Sequence, residues 1–272
     1  LFRDDVPTPL VAFGVRHLKC AAGVMVTASH NPKEDNGYKV YWANSAQITA
    51  PHDAQIARAI EANFSIWDRM PDDKAIDEHP LCLDPTTDVC AAYLAAARHW
   101  SFRTPQQNAA AQLRVVYTAM HGVGGQSVER IFDAFGLPPV IAVREQHDPD
   151  PDFTTVEFPN PEEANGCSLR LAMATADREG APLILANDPD ADRLAVAERQ
   201  RDSGEWRILD GNEIALLLAD WLWRNYTERH PEMDRSKIVM LNSTVSSKAP
   251  AAMAAKEGFH YRETLTGLKW LG

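Results

Sequence analysis

Cysteine is scarce: Cys20, Cys82, Cys90 and Cys167 are all that 272 residues contain, with no C-x-x-C pair and no regular spacing. Neither a zinc knuckle nor a disulfide framework is indicated, and a reducing, cytoplasmic setting fits that usage. Long apolar runs are missing too. None approaches the ~18 to 20 residues that span a bilayer, which excludes a helical membrane protein. Basic charge is in short supply: 27 Lys and Arg against 38 Asp and Glu leave a net charge of −11. A surface of that sign repels phosphate backbones, so nucleic acid is not an expected partner. The first residues, Leu1-Phe2-Arg3-Asp4-Asp5, include neither a methionine nor an apolar leader segment. The chain stops in mid-pattern at Leu271-Gly272, so both ends read as cut.

What is present is globular in composition, 45% hydrophobic and 24% charged. The length exceeds the ~100 to 200 residues of an ordinary domain and predicts roughly two units. Short apolar runs alternate with amphipathic stretches, the pattern of α/β architecture. Strands are expected over 22–27 and 38–42. Asp53 is expected to cap a helix that puts Ile56, Ile60 and Phe64 on one face. Another helix follows over 88–98, and the Gln-, Asn- and Ala-rich stretch 104–112 is the best candidate for a boundary. Beyond it lie a strand over 113–117, a turn containing Gly122, Gly124 and Gly125, and a helix over 128–135 stopped by Gly136. After a strand over 140–143, the acidic, proline-rich loop 145–163 is too long for a simple connection, which predicts a functional role. A helix over 168–178, a strand over 183–186, an Asp-rich turn and a return strand over 194–198 complete this unit. The polar turn 199–205 leads to a helix capped by Asp210 and carrying Ile214, Leu217, Leu218, Trp221 and Leu222. A strand over 238–241, a helix ending near Lys256 and a final stretch over 259–265 are too few to close a core. The expected division is domain I over 1–103, domain II over 104–207 and the start of a third domain over 208–272.

Two loops carry chemistry. Thr27-Ala28-Ser29-His30-Asn31-Pro32 follows a buried strand, so the Ser29 hydroxyl sits where α/β sheets place their sites. His30 beside it and Lys39 across the turn are groups able to move a proton or neutralise a phosphate. The same residues also make an ordinary β-turn in which Ser29 and Asn31 bond their own backbone. A serine hydrolase is disfavoured, because the G-x-S-x-G elbow is absent. In Asp188-Pro189-Asp190-Ala191-Asp192-Arg193 three carboxylates alternate between two apolar strands. Their repulsion is relieved by a hard divalent cation, with magnesium the natural choice, and Arg193 is placed to hold a phosphate. A calcium-binding EF-hand is excluded, since Arg193 and Arg199 stand where Gly and Glu are required. A solvated acidic turn is the plainer alternative. The Gly122 turn with Glu145 further on is a degraded dinucleotide fingerprint whose third glycine is Ser127, and tight strand-to-helix packing explains it as well. Thr264 to Trp270 has the composition of a sugar or phosphate pocket, or of a plain loop.

Taken together, these residues resemble the α-D-phosphohexomutases: a T-A-S-H-N-P segment at 27–32 followed by N-G-x-K at 36–39, then D-x-D-x-D-R at 188–193. The stretches 121–124, 146–152, 158–162 and 264–270 look most like the branch whose members act on pentose phosphates or make glucose 1,6-bisphosphate. The resemblance runs nearly the whole length and implies repeated mixed-sheet α/β domains, truncated at both ends. It implies a mutase that moves phosphate between the 1 and 5/6 positions of a pentose or hexose phosphate. Ser29 would carry the phosphoryl group and share Mg2+ with Asp188, Asp190 and Asp192, and a sugar 1,6-bisphosphate or 1,5-bisphosphate would serve as activator. Ser29, His30 and Lys39 become the catalytic candidates, with Asp192, Arg193, Thr266 and Gly267 on the substrate side. The partner implied is a small phosphosugar. The rival readings are a bisphosphate synthase of the same family, a dinucleotide-dependent oxidoreductase built on 122–145, and a catalytically silent fragment.

Overall fold

The computed structural model describes residues 1–66, 71–162 and 167–271; Glu163, the expected end of the acidic loop, and Gly272 lie outside the described residues. The first unit contains α1 (Thr8–His17), β1 (Ala22–Val26), β2 (Tyr38–Trp42), α2 (His52–Glu61), α3 (Asp73–Asp77) and α4 (Thr86–Arg98); the short α5 (Pro105–Ala109) follows and packs on the second unit, Asn108 donating to the Phe135 carbonyl. Strands β1 and β2 pair antiparallel, Ala22 opposite Trp42 and Val26 opposite Tyr38. Helix α1 carries Pro at its start and Arg16 and His17 in its last turn, both of which suit a helix's polarity. It lays Leu10, Val11 and Val15 into a core shared with Val6, Tyr41 and Val89.

The second unit is built on β3 (Val115–Thr118), buried at every residue. Then come α6 (Gly124–Phe135), β4 (Ile141–Ala142), α7 (Arg170–Glu179), β5 (Leu183–Ala186), β6 (Ala195–Arg199) and β7 (Trp206–Leu209). The sheet order is β4-β3-β5-β6-β7. Strands β4 and β5 flank β3 in parallel, whereas β6 and β7 return antiparallel, making a mixed sheet. Val116, Met120, Val143, Leu169, Ala172 and Ile184 are among its core residues. The third stretch comprises α8 (Gly211–Arg229), β8 (Val239–Ser243), α9 (Ala249–Glu257), β9 (His260–Thr264) and α10 (Leu268–Leu271). Here β8 and β9 are parallel, joined through α9, over a small core of Trp223, Ala254 and Phe259.

Several features depart from expectation. Helices α1, α3 and α5 are additions to the expected elements. Strand β1, expected to be buried, is covered on one face only, where Gly23 and Met25 meet the α1 core, and leaves Val24 58% and Val26 80% exposed. Pro51, not Asp53, stands at the cap of α2; Asp53 lies inside the helix, and Phe64 falls beyond its end and is exposed. A sequence run cannot tell the cap from the first turn when both positions suit a helix start. Strand β7 is an addition to the expected elements and runs across the 207/208 division, because its mixed Trp-Arg-Ile-Leu pattern is too short to register as alternation. Helix α8 is capped by Asp210 with Glu213 completing a capping box, but its expected apolar face is largely open. Trp221 is 44% exposed whereas Trp223 is 4% exposed, since only the latter side meets Phe259. Among the described residues no helix is long and apolar enough to cross a membrane.

Candidate active site

Ser29 stands in the loop after β1, and the three aspartates stand in the loop between β5 and β6. Both loops leave the carboxyl ends of strands, as expected of α/β sites. Ser29 holds φ at 57°, a left-handed conformation uncommon for a residue with a side chain. Its amide is satisfied by donating to Thr27 Oγ1 at 2.8 Å. The amide of Thr27 in turn donates to the Gly37 carbonyl at 3.0 Å. Glycine is required there, because a Cβ at position 37 would lie 2.7 Å from the Thr27 carbonyl oxygen.

The hydroxyl of Ser29 is thereby aimed across the gap between the units, 3.2 Å from Asp188 Oδ2 and 3.3 Å from Asp190 Oδ1. The ordinary β-turn reading does not account for these contacts, which reach 159 and 161 residues along the chain. One oxygen from each of Asp188, Asp190 and Asp192 lies within 4.8 Å of the others. Asp188 and Asp190 are buried, so the solvated-turn alternative is set aside. Lys39, on β2, donates to Asp190 Oδ2 and to Asp192 Oδ2, both at 2.6 Å. Arg193 Nε approaches Asp188 Oδ2 only to 3.8 Å, and its Nη1 lies 3.4 Å from Glu162. His30 Nδ1 is 3.4 Å from Ser29 Oγ, and the imidazole meets the edge of Phe158 from the acidic loop.

This crowding is legible in the titrations. Burial first, then the charges of Asp190 and Asp192, pushes the Asp188 carboxyl up to about 7. For Asp190 burial acts in the same direction, but hydrogen bonds from Lys39 and Thr8 outweigh it and hold the group below the usual carboxylate range. Burial alone would depress the Lys39 ammonium; its bonds to Asp190 and Asp192 instead raise it above an ordinary lysine. His30 is lowered by desolvation and then by the Arg193 charge, so at neutral pH its ring is largely neutral. Lys39 is therefore held as a cation and His30 is shifted toward its neutral form.

Three carboxylates, two of them buried, facing one ammonium and one hydroxyl leave negative charge in excess, and their donors are all oxygens. That donor set fits a hard divalent cation, Mg2+ above all.

Thr266 and Gly267, expected on the substrate side, lie exposed in the loop between β9 and α10, on a different element set from the Ser29 cluster. The glycine-rich turn is a packing device. Cβ atoms at Gly122, Gly124 and Gly125 would lie 2.2 Å from the Pro189 backbone, 2.3 Å from the Tyr117 hydroxyl and 2.6 Å from the His147 carbonyl oxygen respectively. Close packing against protein atoms thus accounts for all three glycines, with no dinucleotide needed to explain them. Instead, the turn seats the aspartate loop: Val123 donates its amide to the Pro189 carbonyl at 2.8 Å. Sequence inspection missed Thr8, whose hydroxyl donates to Asp190 Oδ2 at 2.7 Å. A threonine between two prolines at a helix start reads as a cap, and nothing local signals a partner 182 residues away.

The descriptions of known proteins agree with this geometry. The family model for domain I of phosphoglucomutase/phosphomannomutase matches residues 1–66, and that for domain II matches residues 91–203. The human protein named phosphopentomutase is 52% identical over the whole chain, which spans 44% of that protein's length. The human glucose 1,6-bisphosphate synthase is 47% identical, again over the whole chain and 43% of its own length. A crystal structure from Thermus thermophilus, ascribed to the phosphomannomutases, superposes with a TM-score of 0.73 at 27% identity, covering 99% of this chain and 54% of that one.

Proposed function

Because the chain belongs to the phosphoglucomutase/phosphomannomutase family, we propose that it is the portion of a phosphosugar mutase that holds the phosphoryl-carrying serine and the metal-binding carboxylates. The observation that carries this reading is the convergence of Ser29 with Asp188, Asp190 and Asp192 from distant loops. Mg2+ held by Ser29 Oγ and the three aspartates would neutralise the charge that develops on a transferred phosphoryl group.

In the proposed cycle the phosphoserine at Ser29 gives its phosphoryl group to a free hydroxyl of a bound sugar phosphate, and the freed Oγ takes back the other phosphate of the resulting bisphosphate. Neutral His30, beside Oγ, accepts the proton of the attacking hydroxyl. Lys39 bridges Asp190 and Asp192 and offsets part of their negative charge. Arg193, one face toward Asp188 and the other toward the half-exposed Glu162, is the group free to meet a substrate phosphate. Asp192 lies on the same side. The third unit contributes Thr266 and Gly267, with Gly267 at a φ of 122° that only glycine adopts readily.

Domain I over 1–103, domain II from 104, its end moved from 207 to the close of β7 at Leu209, and a sugar-facing third domain beginning with α8 complete the proposal. A sugar 1,6-bisphosphate or 1,5-bisphosphate would prime Ser29. Cys20, Cys82 and Cys90 form no disulfide, which suits a cytoplasmic enzyme. A second reading, glucose 1,6-bisphosphate synthesis, is favoured by the near-equal likeness to relatives of both names. The two reactions share the donor serine and its metal and differ in what supplies and what receives the phosphate.

The test is incubation of the chain with Mg2+ and glucose 1,6-bisphosphate, followed by intact-mass and peptide mapping. One phosphoryl group on Ser29, absent from Ser29→Ala and blocked by EDTA, is the expected result. A chain that is never phosphorylated under these conditions, or is labelled equally well in Ser29→Ala, would overturn the assignment.

A further inference from the structure

We infer that Thr8 is a positioning residue for the metal-binding carboxylates, acting by fixing which oxygen of Asp190 faces Ser29. The inference rests on the functional reading above and extends it to a residue outside both sequence motifs. Thr8 is the first residue of α1, in the first unit, yet it is 2% exposed because it is pressed against the aspartate loop of the second. Two bonds tie it there. Its amide donates to the Asp190 backbone carbonyl at 2.9 Å, and its hydroxyl donates to Asp190 Oδ2 at 2.7 Å.

The hydroxyl bond divides the carboxylate. Oδ2 of Asp190 accepts from both Thr8 and Lys39, at 2.7 and 2.6 Å, while Oδ1 is left facing Ser29 Oγ at 3.3 Å. A carboxylate held by one donor alone rotates about its terminal torsion, which is broad. Two donors from different elements hold it in one rotamer with Oδ1 presented toward Ser29. Lys39 cannot do this by itself, since its flexible ammonium is shared with Asp192. The amide bond does a separate job: an orphan N–H of the first turn of α1 finds an acceptor, and the helix's positive end is set against an acidic loop. Side chains that orient metal ligands in this way typically change metal affinity or activity about 10- to 100-fold when removed.

The experiment compares Thr8→Ser, Thr8→Ala and Thr8→Val in this chain, each titrated with Mg2+ by calorimetry and with Mn2+ by electron paramagnetic resonance, alongside metal-free thermal melts. Ser keeps the hydroxyl, Val keeps the shape and Ala keeps neither. Expected are wild-type affinity for Thr8→Ser and about tenfold weaker binding for both Thr8→Ala and Thr8→Val. Equal metal affinity for Ser and Ala variants would overturn the inference, as would a loss that follows the melting temperature rather than the hydroxyl. Wild-type chain that takes up neither ion would overturn the metal reading itself, an outcome distinct from the first.

Discussion

Asp188 and Lys39 lie in the same cluster, yet removing their charges should have opposite effects on the metal-free chain. The Asp188 carboxyl is raised to about 7 by burial and by its two acidic neighbours, so its ionised form costs stability in the folded state. With the folded pKa above the unfolded one, the stabilisation is complete below the unfolded value near ~4 and is lost as pH rises toward about 7. Asp188→Asn, which retains an oxygen to accept the amides of Asp192 and Arg193, should flatten that decline in EDTA and melt higher than wild type at about pH 7.5, while losing most of its stabilisation by Mg2+. Melts across roughly pH 4 to 8, with and without the ion, check both halves. Lys39→Met should do the reverse and lose about 3 kcal/mol in EDTA, because it strands two carboxylates without their cation. Denaturant unfolding should show part of that loss recovered on adding Mg2+. The residue types of this cluster were legible in the sequence because the two loops occur together in an order that resembles a known family, although each alone also reads as an ordinary turn. Thr8 was not, because a hydroxyl discloses its partner only after folding.

At the scale of elements, the loops depend on the strands beneath them. The aspartate loop rests on the turn after β3, where Gly122 approaches the backbone of Pro189 more closely than any side chain would allow. Gly122→Ala should therefore cost about 1 to 3 kcal/mol and weaken Mg2+ binding as the loop is pushed aside; a melt and a Mg2+ titration on the same sample would show the two losses together. The glycines were visible in the sequence, and their dinucleotide reading was a reasonable rival until the atoms facing them were known. Strand β5, apolar and bounded by polar turns, was legible to the residue, and β3 to within two residues at its start. Strand β7 was not, since four residues of mixed polarity acquire a strand's identity only from the neighbour they pair with.

For the whole molecule, the three buried clusters differ in what they can support. The small core around Trp223, Phe259 and Ala254 should be sensitive to truncation: Trp223→Ala is expected to cost about 3 to 5 kcal/mol, whereas Trp221→Ala, half exposed on the same helix, should cost well under half as much. Unfolding followed by tryptophan fluorescence would separate them. The amphipathic run in α8 was evident from its sequence, but which of its two faces is covered depends on how β8, α9 and β9 dock, and that is a property of the assembled unit.

The 159 residues between Ser29 and Asp188 also set an order of events during synthesis. At ~5 to 20 residues per second, the serine loop leaves the ribosome roughly 10 to 30 s before its aspartates are made. Throughout that interval the carboxylates that face the hydroxyl do not yet exist. On the proposed reading, phosphorylation of Ser29 would wait on the docking of one unit against another.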